Sequence, residues 1–204
     1  DLFVGRKKEF DYYLGVWYNR LIGNMAQSQA IVARRKKGKT AFLQRLFNIL
    51  WSCSGNKVIP FYYAIKDKHI LLSSFAEDFF THFIGQYLSF RDRKEEYLSY
   101  PLSFEKLGPY VEGDLHLKDA YETMVIKKRE GDCDGMWNLA SRLPAALATV
   151  KKKKIVQIID EFQNINAYIV NKRENTIDSM SGTYLDLAEK KEAPLIISGS
   201  EVHG

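Results

Sequence analysis

The stretch Gln29-Ala30-Ile31-Val32-Ala33-Arg34-Arg35-Lys36-Lys37-Gly38-Lys39-Thr40-Ala41-Phe42 decides the fold. Its apolar run, Ala30 to Ala33, reads as a short buried strand. A basic turn and Gly38-Lys39-Thr40 follow. Beyond them Phe42, Leu43, Leu46, Phe47, Ile49 and Leu50 recur at helical spacing. Strand, tight loop, Gly-Lys-Thr and helix form a context in which backbone N–H groups can wrap a phosphate at the positive end of a helix dipole. Ala33 to Ala41 are therefore candidate phosphate-binding residues: Ala33, Arg34, Arg35, Lys36, Lys37, Gly38, Lys39, Thr40 and Ala41. Lys39 would reach the β- and γ-phosphates of a nucleotide, and the Thr40 hydroxyl would sit on Mg²⁺. The plain alternative is a basic strand-to-helix turn with Lys39 and Thr40 as ordinary first-turn residues. That alternative places four cations at the positive end of a helix, which is unfavourable unless an anion binds there. The usual pattern begins with glycine where this chain has Ala33, so the backbone there must keep a negative φ.

A second stretch supplies the acid groups such a site needs. Ile155-Val156-Gln157-Ile158-Ile159-Asp160-Glu161 is an apolar strand ending in two carboxylates. Asp160 would hold Mg²⁺ beside Thr40. Glu161 would orient and deprotonate the water that attacks the γ-phosphate. The two residues would otherwise simply leave the strand and cap the next helix.

The 204 residues suffice for one α/β domain with a real core, and a 46% hydrophobic content makes the chain globular rather than disordered. No apolar run approaches the ~20 residues that span a bilayer, so no membrane partner is expected. Cys53 and Cys133 make no disulfide framework and suit a cytoplasmic protein. The net charge of +5 suits a polyanionic ligand without arguing for nucleic acid. The chain lacks an initial Met and stops at Gly204 just after a strand-like run, so it reads as a piece of a longer protein.

In order, residues 6 to 23 form an amphipathic helix on Phe10, Leu14, Trp17, Tyr18, Leu21 and Ile22, stopped by Gly23-Asn24. Lys57 to Ile65 is a strand, with Pro60 placing it early or at a sheet edge. Leu71 to Ser89 is a long helix. Residues 91 to 135 read as an insertion in which only Leu117 to Glu130 looks helical. Asp132-Cys133-Asp134-Gly135 lacks the spacing and distal glutamate of a calcium loop and reads as a tight acidic turn. Met136 to Val150 is helical, bent or restarted at Pro144. Lys151 to Lys154 is a solvated helix end before it is a nucleic-acid contact. Thr183 to Lys191 reads as a helix. Pro194 to Ser200 reads as a buried strand whose polar end lies near the γ-phosphate if that strand neighbours the strand before Arg34. The alternation of strands and helices predicts an α/β fold, a three-layer core with a mainly parallel sheet.

Phe3-Val4-Gly5-Arg6 with Glu9, Ala33 to Thr40, Ile158-Ile159-Asp160-Glu161 and Ile197-Ser198-Gly199-Ser200 together resemble the archaeal-type P-loop ATPases of the AAA+/STAND group. The resemblance spans the chain except the 91–135 segment. It implies that Val4, Gly5 and Arg6 lie near the adenine and that Ser200 acts as a γ-phosphate sensor. It further implies that the Asp-Glu strand and the final strand flank the P-loop strand. A helical lid carrying further catalytic charge, and contacts for a homo-oligomer, would belong to parts beyond Gly204.

The expected function is an ATP-binding, Mg²⁺-dependent ATPase core that yields ADP and phosphate, with Glu161, Lys39 and Ser200 catalytic. A nucleotide-dependent switch with little turnover is the alternative, favoured by the missing lid where Glu161 favours hydrolysis. Lys39 is expected to be exposed without ligand.

Overall fold

A computed structural model describes residues 6–33, 38–53, 55, 57–170 and 187–200, with the backbone alone at Ala33 and Ser200. The N-terminal helix runs from α1 (Lys7–Asp11) through a π-helical stretch, Tyr12–Trp17, to α2 (Tyr18–Ile22). Then come β1 (Gln29–Ala33), α3 (Lys39–Cys53), β2 (Val58–Ala64), β3 (Ile70–Leu71) and α4 (Leu72–Asp92). The 91–135 segment holds α5 (Glu96–Ser99), a 3₁₀ turn at Phe104–Lys106, α6 (Gly108–Val111) and α7 (Leu115–Glu130). After it come α8 (Cys133–Lys151), β4 (Lys154–Asp160), α9 (Asn164–Tyr168), β5 (Ile169–Val170) and β6 (Leu195–Ser200).

Four strands form a parallel sheet in the order β1-β6-β4-β2, and β3 and β5 make a separate two-residue parallel pair. Helices cover both faces, so the α/β, three-layer expectation holds. The two-residue period of β4 sorts its side chains: Val156 and Ile158 join α3 and the N-terminal helix, while Ile155 and Ile159 face the other side. On the first face Phe42, Leu43 and Leu46 of α3 meet Trp17 and Leu21, and the Trp17 indole donates to the Gln27 carbonyl at 2.9 Å. On the second face α4 and α8 cover the sheet, with Phe79 of α4 packed edge-on to Phe61 of β2 and to Trp137 of α8. Both helix-facing sides of β4 are thus buried, as an interior parallel strand requires.

Pro60 lies in β2, an edge strand of the described sheet, where its missing N–H costs no ladder bond on the open side. Two expectations are corrected. The run Ala30 to Ala33 is a strand but not a buried one, because β1 is the other edge of the described sheet and Val32 is 62% exposed. The final strand and the Asp-Glu strand do not flank β1. Instead β6 lies between β1 and β4, pairing Ala33 with Ser200 on one side and Ile159 with Ile197 on the other.

The region after α4 is more helical than periodicity implies, because its added helices are only three or four residues long. Asp132 does not form an isolated acidic turn: its side chain accepts the Gly135 N–H at 2.9 Å and caps α8. That helix passes through Pro144 as one element, with Leu143, Pro144 and Leu147 buried. In the expected helix Thr183 to Lys191, residues 187–188 are helical and 183–186 lie outside the described residues. Among the described residues no helix is long and apolar enough to cross a membrane.

Candidate functional site

The parallel sheet aims the C-terminal ends of β1, β6 and β4 at one rim, where crevices beyond strand ends collect ligands in open α/β sheets. Ala33 is the last residue of β1, so its backbone is extended with negative φ, as an alanine there requires. Gly38 has φ +72°, a conformation that suits glycine, and its carbonyl accepts the Phe42 N–H at 3.0 Å as α3 begins. Arg34, Arg35, Lys36 and Lys37 lie outside the described residues, as do Val4 and Gly5.

The Lys39 side chain reaches from the start of α3 to the end of β6. Lys39 Nζ donates to the Gly199 carbonyl at 2.8 Å, and Lys39 is 5% exposed. This corrects the expectation of an exposed lysine: the residue is buried and its ammonium has a carbonyl partner. One residue on, Thr40 Oγ1 donates to Asp160 Oδ2 at 2.7 Å, joining two residues 120 positions apart. Ala41 is exposed in the same turn.

Asp160 is the centre of the arrangement. It is fully buried and closes β4 between β6 and β2. Thr40 and Tyr62 donate to Oδ2, the latter at 3.2 Å, while Ser198 Oγ and the Glu161 N–H, at 3.0 Å, donate to Oδ1. A buried carboxylate is costly unless hydrogen-bonded, and these donors meet that need. Burial, followed by the charge and the hydrogen-bonded carboxylate of Asp160, pushes the Tyr62 phenol well above its ordinary pKa, so it stays a neutral donor.

Glu161 leaves the strand with φ +53°, in the left-handed region. The next N–H, of Phe162, donates to the Ser198 carbonyl at 2.8 Å. The Glu161 carboxylate accepts from Gln163 Nε2. Arg6 lies against the first turn of α3, its guanidinium carbon 5.9 Å from the centre of the Phe42 ring, and pairs with Glu9 at 3.2 Å. The Ser200 side chain lies outside the described residues. Its backbone pairs with Ala33, so the final strand does neighbour the strand before Arg34.

Sequence reasoning thus placed Lys39, Thr40, Asp160 and Glu161, which the fold brings to one rim. It gave no role to Tyr62 or Gln163, and quoted Ser198 and Gly199 within a motif without giving either a role. Ser198 was within reach, because it shares a strand face with Ser200 two residues on. Nothing local marks Tyr62, which depends on β2 pairing with β4.

The donor set fits a hard cation. Around Asp160 the side-chain groups are oxygen donors only, and the described residues contain no cluster of three or more His, Cys, Asp or Glu that would hold a metal unaided. A magnesium ion, which keeps several waters and takes one or two protein oxygens plus phosphates, matches one carboxylate and one hydroxyl. A cavity of about 660 Å³ lies elsewhere, between the end of β2, α4 and residues 101–105, and none of these rim residues lines it.

No protein-family model matches the sequence, and no curated protein matches it. Among solved structures, the chain is similar to the ORC2 protein of Aeropyrum pernix in its ADPNP-ADP complexes and in its ADP form. Each has a TM-score of 0.46 and 15% sequence identity, over 98% and 97% of this chain and 42% of the other. The chain spans about two fifths of the length of those proteins.

Proposed function

We propose that this chain binds ATP with Mg²⁺ at the rim formed by β1, β6 and β4 and hydrolyses it to ADP and phosphate. The observation that carries the reading is the 2.7 Å bond between Thr40 and Asp160, which joins the strand-loop-helix motif to the acidic strand end. Thr40 Oγ1 and Asp160 would hold the ion, which supplies charge neutralisation on the phosphates when bound. Lys39 is the cation for the terminal phosphates, released from the Gly199 carbonyl as they arrive. The backbone from Gly38 into α3 directs N–H groups to the same place.

In the hydrolytic step the oxygen of a water attacks the γ-phosphorus, the bond from that phosphorus to the ADP oxygen breaks, and the water proton passes to Glu161. Lys39 offsets the charge that develops on the transferred group. On the family resemblance, Val4, Gly5 and Arg6 would lie near the adenine and Ser200 would sense the γ-phosphate.

Calorimetric titration with Mg-ATP and steady-state phosphate release test the reading together. Binding with turnover is the expected result. Binding without turnover would make the chain a nucleotide switch, and no binding would sink the reading.

A further inference from the structure

We infer that Gln163 is a positioning residue that fixes the Glu161 carboxylate, and that Gly199 is the floor on which the Gln163 amide rests. The inference depends on the hydrolysis proposed above.

Gln163 occupies the position that precedes α9, yet its side chain makes no capping bond to that helix. Its amide turns back instead, and Nε2 donates to Glu161 Oε2. The amide orientation follows from chemistry, because a carboxylate only accepts and the NH₂ group must face it. The other end of the amide is thereby fixed: Oε1 lies 3.2 Å from where a Cβ on Gly199 would stand. A side chain at Gly199 would press on the amide that holds Glu161.

The main chain of Glu161 is already fixed from two sides. Its own N–H is bonded to Asp160 Oδ1 at 3.0 Å, and the following N–H is bonded to the Ser198 carbonyl at 2.8 Å. These bonds leave the carboxylate free to rotate about its own side-chain torsions. The contact with Gln163 removes that freedom. Gly199 also offers its carbonyl to Lys39, so one residue touches both the phosphate-binding lysine and the group that orients the base. A base set wrongly by even about 1 Å loses up to about 10²-fold in rate.

The test uses the whole chain and four variants: Gln163→Ala, the isosteric Gln163→Glu, Gly199→Ala, and Gln163→Ala combined with Gly199→Ala. Phosphate release gives kcat and KM. Titration with a fluorescent ATP analogue gives affinity, and thermal unfolding checks the fold. The inference expects kcat to fall about tenfold in Gln163→Ala and Gly199→Ala and further in Gln163→Glu, with analogue affinity within about twofold of the parent. The double variant should lose no more than the worse single one, because both act on one contact. If Gln163→Ala fails to fold, Gln163→Glu, which keeps the shape, answers alone. Unchanged kcat in these variants, losses that multiply, or a fall in affinity matching the fall in rate would each overturn the positioning role. A parent chain that binds the analogue but releases no phosphate would overturn the hydrolytic reading, and the positioning role with it.

Discussion

At the scale of single residues, the roles proposed for Lys39 and Glu161 separate binding from chemistry. Lys39→Ala should abolish or severely weaken ATP binding by calorimetry. Because Lys39 is buried against Gly199, the variant should also show a small loss of stability that an exposed lysine would not cause. Glu161→Gln keeps the shape but not the base, so ATP should still bind while phosphate release falls about 10²-fold or more. Near-normal turnover would hand the role to another residue. Gly38→Ala puts a Cβ on a backbone at φ +72° and should lower stability by about 1–2 kcal/mol in urea unfolding. That Lys39, Thr40, Asp160 and Glu161 come to one rim was legible in the sequence, because the proposed chemistry would dictate their type and their spacing within a few residues. Tyr62 and Ser198 were not. They reach Asp160 only because β2 and β6 lie on either side of β4, and strand order is decided by packing over the whole sheet.

At the scale of elements, Asp114 ties the start of α7 to the end of α8. It caps α7 by accepting the His116 and Leu117 N–H groups at 3.2 and 3.4 Å, and it pairs at 2.7 Å with Lys151 in the last turn of α8. Burial works to raise its pKa. The Lys151 hydrogen bond and charge, with the two backbone N–H groups, outweigh burial and hold the carboxyl below its ordinary value. A folded pKa below the unfolded one means stability that is present above about pH 4 and lost as pH falls through the folded value. Asp114→Ala should therefore cost about 2–4 kcal/mol at neutral pH, from the cap and the broken pair, and flatten the acid limb of stability against pH. Asp114→Asn should keep part of the cap and lose the pH dependence alike. Urea unfolding between about pH 2 and pH 7 measures both. Long helices were readable here from their period. The three- and four-residue helices between α4 and α7 were not, since one turn cannot display a repeat. The capping role of Asp132 was hidden because the residues after it, Cys133 to Gly135, look like a turn.

At the scale of the molecule, two apolar layers hold the rim from opposite faces of one sheet. Phe79 is fully buried among Phe61, Tyr63 and Trp137 on the face away from α3. Phe79→Ala should cost about 3–5 kcal/mol in unfolding free energy. ATP affinity below the new melting temperature should be kept, because α3 packs on the other face. Equal loss of affinity and stability would mean the layers are not separable. The layered architecture was legible from alternating strands and helices, whereas the place of the final strand between β1 and β4 was not. That placement has a consequence for how any nucleotide is admitted. The ammonium of Lys39 is already held by a strand carbonyl, so on the proposed reading a phosphate would enter by exchange with that carbonyl. Adenosine carries no phosphate and offers nothing to trade. It should bind without loosening the first turn of α3 from β6, whereas ADP and ATP should untie it, and hydrogen exchange at that turn would read the difference.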